Sequence, residues 1–510
     1  MRKIFPTARK SVLGLAIAAS LGLSFNNALA ADSDTLTVAV AQDPGTWDPI
    51  DTFLVNWSVV ANDIFDGLIA RGPDLKLKPA LATSWQFMNN NKTIRFHLRH
   101  GVTFQNGEAF NAQAVKFTFD RLLADKASPQ RSNYTAIKSV KVIDDYTVDF
   151  HLAQPDPVLL TKLAGYGAMI VPPKYIKEKG DAYFNTHPIG TGPFKMVSYK
   201  PNVSATLVRN DHFWGDKPKL EKIVNRFIKE PATQVAELQS GRVDIITSMP
   251  ISMIKKVNSQ PDLEVISHTG PTTYALRFNT KRGITKNLNV RKALIMAVDR
   301  NAIIHSILAG QAEPITSFQS KLSFGYDPSL KPLPYDLKKA KALLKAAGVK
   351  NGTKVEIDFR GNNGTFREVV QAVAGYLSMA GIQATIKPYD SNVFLNDIVP
   401  NGKTGAMFQQ SWGGWTFDYD NTAYLLYHSN ETYNPYNKSA KLDKLLEEQR
   451  QMVDPKKRLP ILQSIAKYVY QNHWEMPLYN LNTIYGVNKR VQNFAAPADM
   501  RLRLTHVSVK

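Results

Sequence analysis

The sequence predicts an α/β fold of two or three domains without disulfides. Strand-like and helix-like segments alternate along the chain, the pattern of layered α/β architecture. No internal repeat or low-complexity block interrupts the alternation. Past the first thirty residues about 480 remain, more than one hydrophobic core normally organises, so two or three domains are expected. Cysteine is absent, so no disulfide contributes.

Taken in order, the chain starts with Arg2, Lys3, Arg9 and Lys10, then an apolar stretch from Val12 to Phe25. Ala28-Leu29-Ala30 follows as a small-x-small cleavage site, with Ala31-Asp32 as the expected mature start. This is the layout of a secretory signal peptide over residues 1–30, and its apolar stretch is too short to span a bilayer. No Cys stands at the cleavage point to carry a lipid. The expected product is exported, cleaved and untethered, which in a two-membrane bacterium means the periplasm.

Thr35–Val40 alternates polar and apolar residues and breaks at Asp43-Pro44-Gly45, a strand entering a loop. Thr93–Leu98 alternates again and stops at Gly101. Asn111 reads as a helix cap, with Val115, Phe119 and Leu122 on one face and a Phe110/Val115 hydrophobic staple. Asp336 caps a helix through Leu344 that Gly348 closes.

Val355–Phe359 reads as a strand, Arg360-Gly361-Asn362-Asn363-Gly364 as a loop, and Thr365 as the cap of a helix. Phe366, Val369, Val370, Val373 and Leu377 form that helix's apolar face. Gly381 ends it before a strand over 382–386. The loop therefore lies at a strand's carboxyl end and a helix's amino end, where open α/β sheets bind ligands. Arg360 adds a planar, permanently charged fork suited to a carboxylate, and on position alone a surface ion pair is an equal reading. A second loop, Ser411-Trp412-Gly413-Gly414-Trp415-Thr416-Phe417-Asp418-Tyr419-Asp420, follows a strand over 406–410. Its glycines permit close approach and its aromatic rings supply contact area, either to a guest or to the core.

Catalytic signatures fail. Ser252-Met253-Ile254-Lys255 and Lys403-Thr404-Gly405 match penicillin-binding motifs, but Ser464-Ile465-Ala466-Lys467 matches the first equally well and the middle motif is missing. Gly402-Lys403-Thr404 has Asp397 where a phosphate loop needs glycine. Zinc-protease and nucleophile-elbow motifs are absent, and His97 and His100 fall on opposite strand faces. No enzyme, resident metal or cofactor is expected. The net charge of +20 is scattered, with no basic stripe, so no nucleic-acid partner is expected either.

The chain resembles the family 5 extracellular solute-binding proteins, the peptide-, oligopeptide- and nickel-type receptors of ABC importers. The resemblance runs in order through Phe65-Asp66-Gly67-Leu68, Pro79–Trp85, Phe96-His97-Leu98-Arg99, Gly101–Phe104 and Asn106-Gly107. It continues through Gly190-Thr191-Gly192-Pro193-Phe194, Arg209-Asn210-Asp211, Phe213-Trp214 and Gly241-Arg242-Val243-Asp244. Val290–Leu294, Ala297-Val298-Asp299-Arg300 and Tyr335-Asp336 complete it. Trp85 and Trp214 read as core anchors.

The resemblance implies a two-lobed periplasmic-binding-protein fold with the ligand cleft between lobes. Lobe I would comprise residues 31–272 and 478–510, with an inserted subdomain near 60–185, and lobe II residues 273–477. The chain would cross between lobes, and hinge, near Gly270–Thr273 and Met476–Leu478. It also implies a monomer that captures a short peptide or peptide-like carboxylate solute and delivers it to the permease subunits in the inner membrane. The alternative solute is a metal chelate, an opine, a glutathione-like compound or a sugar. By the resemblance Arg360 holds the ligand carboxylate, Trp412, Gly413 and Trp415 wall the pocket, and Tyr274 and Asn279 reach it. Aligning Asp418-Tyr419-Asp420 with the Asp-Pro-Asp of dipeptide-binding relatives puts Trp415 where they hold the ligand ammonium with an Asp. Trp makes no salt bridge, so either Asp418 or Asp420 takes over or the ligand carries no free amine there.

Overall fold

The computed structural model describes residues 34–53 and 55–510. The expected export segment, residues 1–30, lies outside the described residues. Within them, Thr35–Val40 and Thr93–Leu98 are strands over the ranges their alternation predicts. Their inward-facing residues are buried: Leu36 and Val38 in one, Ile94, Phe96 and Leu98 in the other.

One mixed sheet runs through the molecule. Its order is Ile382–Tyr389, Thr353–Arg360, Met407–Gly413, Leu263–Phe278, Glu475–Asn488, Ile245–Ile246, Thr35–Val40, Lys222–Phe227, Ser204–Arg209 and Phe194–Lys200. The two central strands are long and antiparallel, at 16 and 14 residues. Between them the ladder slips: Thr269 faces Asn482, but Thr273 faces Asn480. Such a step kinks the strand and frees carbonyls. Asn480 Nδ2 answers both, donating to Gly270 O and Thr272 O at 2.9 Å each. Gly270 suits the step, because a Cβ there would stand 2.7 Å from Leu481 O.

On either side of the step the sheet covers a different core, which makes the fold two-lobed. One core gathers Val38, Trp47, Trp57, Phe65 and Leu207; the other gathers Ile357, Phe359, Phe366, Val370 and Met407. A separate four-stranded sheet, Ala82–Met88, Thr93–Leu98, Thr147–Leu152 and Ile137–Asp144, packs on helix Ala112–Ala124. Phe96, Phe119 and Phe150 meet there edge to face, with ring centroids 4.8 to 5.0 Å apart. Asn111 caps that helix, accepting from Gln113 N and Ala114 N.

The unit around Arg360 folds as strand Thr353–Arg360, helix Gly364–Met379 and parallel strand Ile382–Tyr389. The cap differs from expectation. Asn363, not Thr365, accepts from Phe366 N at 3.0 Å, so the helix starts one residue before Thr365. Asn satisfies the third amide from its own position, leaving Thr365 inside the first turn.

Candidate functional site

Arg360 ends its strand because the alternation carries Val355, Ile357 and Phe359 into the core and leaves it at the rim. Two neighbours orient it. Its backbone N–H donates to Gln409 Oε1 at 2.9 Å, and Nη2 donates to Ser411 Oγ at 2.6 Å. Among the described residues it forms no ion pair. The guanidinium is therefore held by one neutral hydroxyl, with its charge left without an ion pair at the head of a helix.

Tyr274 lies on the strand paired to Ser411. Its ring stacks between Phe366, 5.5 Å away, and Tyr479, 4.9 Å away. Burial pushes its hydroxyl pKa up, and the charge of Arg360 pulls it the other way. These rings wall a cavity of about 370 Å³. Asn363 and Thr365 join them at the head of helix Gly364–Met379, and Thr247–Ile251 and Met500 complete the lining. No lining residue is charged.

The Trp loop behaves differently. Gly413 ends strand Met407–Gly413, paired with Thr272. Trp412 stays beside the core of Tyr419, Leu442 and Leu462, its Nε1 donating to Asn421 Oδ1 at 3.3 Å and its ring against Tyr433. Trp415 leaves it. Only 9% exposed, its ring packs on Phe53 and Tyr166, at 5.5 and 5.6 Å. Gly165 makes room, since a Cβ there would meet the indole at 2.4 Å. Arg501 Nη2 donates to Trp415 O at 3.4 Å and its Nη1 to Ala164 O. Arg71 Nη2 donates to Thr416 O at 3.1 Å.

Asp418 and Asp420 are both engaged by arginines of the chain. Asp418 receives both terminal nitrogens of Arg458 at 2.6 Å, a pair almost wholly buried, and caps helix Tyr419–Tyr427. Asp420 receives Arg450 at 2.7 and 3.1 Å, and Gln449 Nε2. Burial raises the Asp420 pKa, but the charge and hydrogen bonds of Arg450, with the charges of Lys162 and Arg458, together hold the carboxyl below the ordinary value. Asn279 is buried beyond the end of its strand, bonded to Thr404 O at 3.2 Å and Lys281 N at 3.1 Å. Five residues of extended chain, about 17 Å, separate it from Tyr274.

The structure thus groups Arg360 and Tyr274, seats Trp415 in the opposite lobe, and engages Asp418, Asp420 and Asn279 in internal bonds. Ser411, Gln409, Phe366 and Tyr479 complete the Arg360 setting. Of these, Phe366 was visible as the first apolar residue of its helix, and Ser411 as a hydroxyl at the loop's start. Tyr479 carried no local signal.

Comparison with known proteins gives a consistent result. The model of the family described as "Bacterial extracellular solute-binding proteins, family 5 Middle" matches residues 76–434. The glutathione-binding protein GsiB of Escherichia coli O157:H7 is 28% identical over 410 residues, covering 80% of this chain and 79% of GsiB. HbpA2 of Haemophilus parasuis superposes with a TM-score of 0.85 at 25% identity, over 93% of this chain and 100% of HbpA2. The ABC transporter-associated periplasmic binding protein DppA of Helicobacter pylori, solved with the peptide STSA, gives 0.76 at 25% identity, over 93% and 98%.

Proposed function

We infer that this chain, which belongs to the bacterial extracellular solute-binding proteins of family 5, binds a carboxylate-bearing solute between its lobes through Arg360. Its role is that of the solute receptor of an ABC importer. The observation that carries the ligand reading is the Arg360 guanidinium, held by Ser411 on a backbone fixed by Gln409 and paired with no carboxylate among the described residues. A bound carboxylate would supply the missing charge in a bidentate fork. The Tyr274, Phe366 and Tyr479 rings offer an apolar wall beside it.

In this reading the receptor is a periplasmic monomer. The crossing strands act as the hinge, with lobe I formed by residues 31–272 and 478–510 and lobe II by 273–477. A solute touching both lobes stabilises the closed form by its differential affinity, and the closed form docks on the permease. A short peptide or peptide-like acid fits the first reading. The engagement of both Asp418 and Asp420 by arginines favours a second, a solute with no free amine at the Trp loop: a metal chelate, an opine, a glutathione-like compound or a sugar.

The test is a thermal-shift screen of the mature protein against di- to pentapeptides, their N-acetyl forms, glutathione, opines and nickel chelates. A ligand at one hundred times its dissociation constant adds about 2.7 kcal/mol of stability. A carboxylate solute should shift the wild type and not Arg360→Ala. Shifts of the same size in both proteins would remove Arg360 from the site. A larger shift with free-amine peptides than with N-acetyl ones would remove the second reading.

A further inference from the structure

A larger cavity, of about 890 Å³, opens where the inserted subdomain meets lobe II. It shares no lining residue with the cavity beside Tyr274. The subdomain contributes Leu77 and Phe87 of its strands and Leu160 of a short helix; lobe II contributes Phe324 and Phe417. These side chains make an apolar wall with three phenylalanines, and Asp74, Lys76, Asp418 and Asp454 stand on the rest of the lining; the volume is within the range of small-molecule sites.

Two arginines line the same space, and they are finished differently. Arg458 is neutralised by Asp418 through two 2.6 Å bonds. Arg71 meets only carbonyls: Leu75 O at 3.0 Å, Thr416 O at 3.1 Å and Thr161 O at 3.4 Å. Its Nε is buried without an acceptor, and among the described residues it has no ion pair. Its guanidinium lies 5.1 Å from the Phe417 ring. Carbonyls and a ring face orient a cation without cancelling its charge. Burial, then the charge of Arg501, lowers the Arg71 pKa to about 10, so it stays protonated at neutral pH.

We propose that this seam cavity is a second binding site, for an apolar or aromatic monocarboxylate whose charge is balanced by Arg71. An apolar body fits the phenylalanine and leucine walls, and the carboxylate supplies the direct ion pair that Arg71 lacks among the described residues; Asp418 and Asp499 act on it only through space, and Asp418 is already held by Arg458. Because the walls come from the subdomain and from lobe II, and Arg71 also holds the carbonyl beside Trp415, occupancy couples to lobe closure.

The test uses calorimetric titration of the mature protein with 4-phenylbutyrate and with neutral 4-phenylbutanamide. The acid should bind the wild type roughly tenfold tighter than the amide or better. Arg71→Gln should abolish that preference. Leu77→Trp, which narrows the cavity and leaves the Arg71 bonds in place, should weaken both compounds. Arg71→Lys, which keeps the charge, should keep part of the preference. Equal binding of acid and amide, no binding of either, or an undiminished preference for the acid in Arg71→Gln would each overturn the proposal, and the last would assign the acid to the main cleft.

Discussion

Among the arginines that touch the segment from Gln409 to Asp420, Arg458 and Arg360 are treated in opposite ways. Arg458 is 3% exposed, donates to both oxygens of Asp418 and also bonds Gln449. Arg360 stands at a strand end with Gln409 and Ser411 as its neighbours and no carboxylate. The first arrangement is complete, so it fixes the loop and offers a guest nothing. The second is oriented but unfinished, which is the condition of a binding group. Desolvation gives the same lesson: a charge removed from water persists only with a partner, and where the chain withholds one at a cleft, a ligand is the partner that fits.

The largest effect expected from breaking this contrast is at Arg458. Arg458→Met leaves the Asp418 carboxylate buried and unpaired, at a cost of about 3–5 kcal/mol. The urea midpoint should fall accordingly; an unchanged midpoint would mean that the pair is not structural. Arg360→Ala should reverse the pattern. It should remove about 2–5 kcal/mol of affinity for a carboxylate solute while shifting the urea midpoint hardly at all.

Trp415 tests whether the loop fixed by Asp418 also holds the lobes. Trp415→Ala removes the ring from Phe53 and Tyr166, about 2–3 kcal/mol of packing between lobes. Small-angle scattering of the ligand-free protein should show a larger radius of gyration than the wild type. An unchanged radius would reduce Trp415 to a local filler.

Glu475 sharpens the comparison from the side of the acid. It is buried, receives the Tyr427 hydroxyl at 2.9 and 3.0 Å, and has no bidentate arginine; Arg277 nearby is taken by the carbonyls of Leu426 and Tyr433. Burial pushes its pKa up to about 7, against the Arg277 charge and the Tyr427 bond. The folded state therefore keeps a proton that the unfolded chain has released. The stability it contributes is full below the ordinary carboxyl pKa and is lost as pH rises through about 7. Glu475→Gln should gain on the wild type by on the order of 2 kcal/mol between pH 5 and pH 8, measured as the difference in unfolding free energy. A constant difference across that range would show that Glu475 is ionised throughout.

Much of the frame was legible because it is local. The strand through Arg360, the apolar face from Phe366 to Leu377 and the return strand each follow a short period, and all three form. The cap was misplaced by two residues because Asn363 and Thr365 both suit that role and only backbone geometry selects between them. What the sequence could not reveal is pairing over distance. Asp418 finds Arg458 forty residues on, and Trp415 finds Tyr166 in the other lobe. The acids looked available for a ligand only because their arginines lie outside any local window. Arg360 stood out for the converse reason: its place at a strand end beside a helix start is a local feature.

The account rests on Arg360 meeting a ligand carboxylate, and one titration tests that most directly. Wild type and Arg360→Ala are each titrated with the acid that gives the largest thermal shift and with its methyl ester. The wild type should prefer the acid by roughly tenfold or more, and Arg360→Ala should bind the two alike. Equal affinity of the wild type for acid and ester would contradict the account.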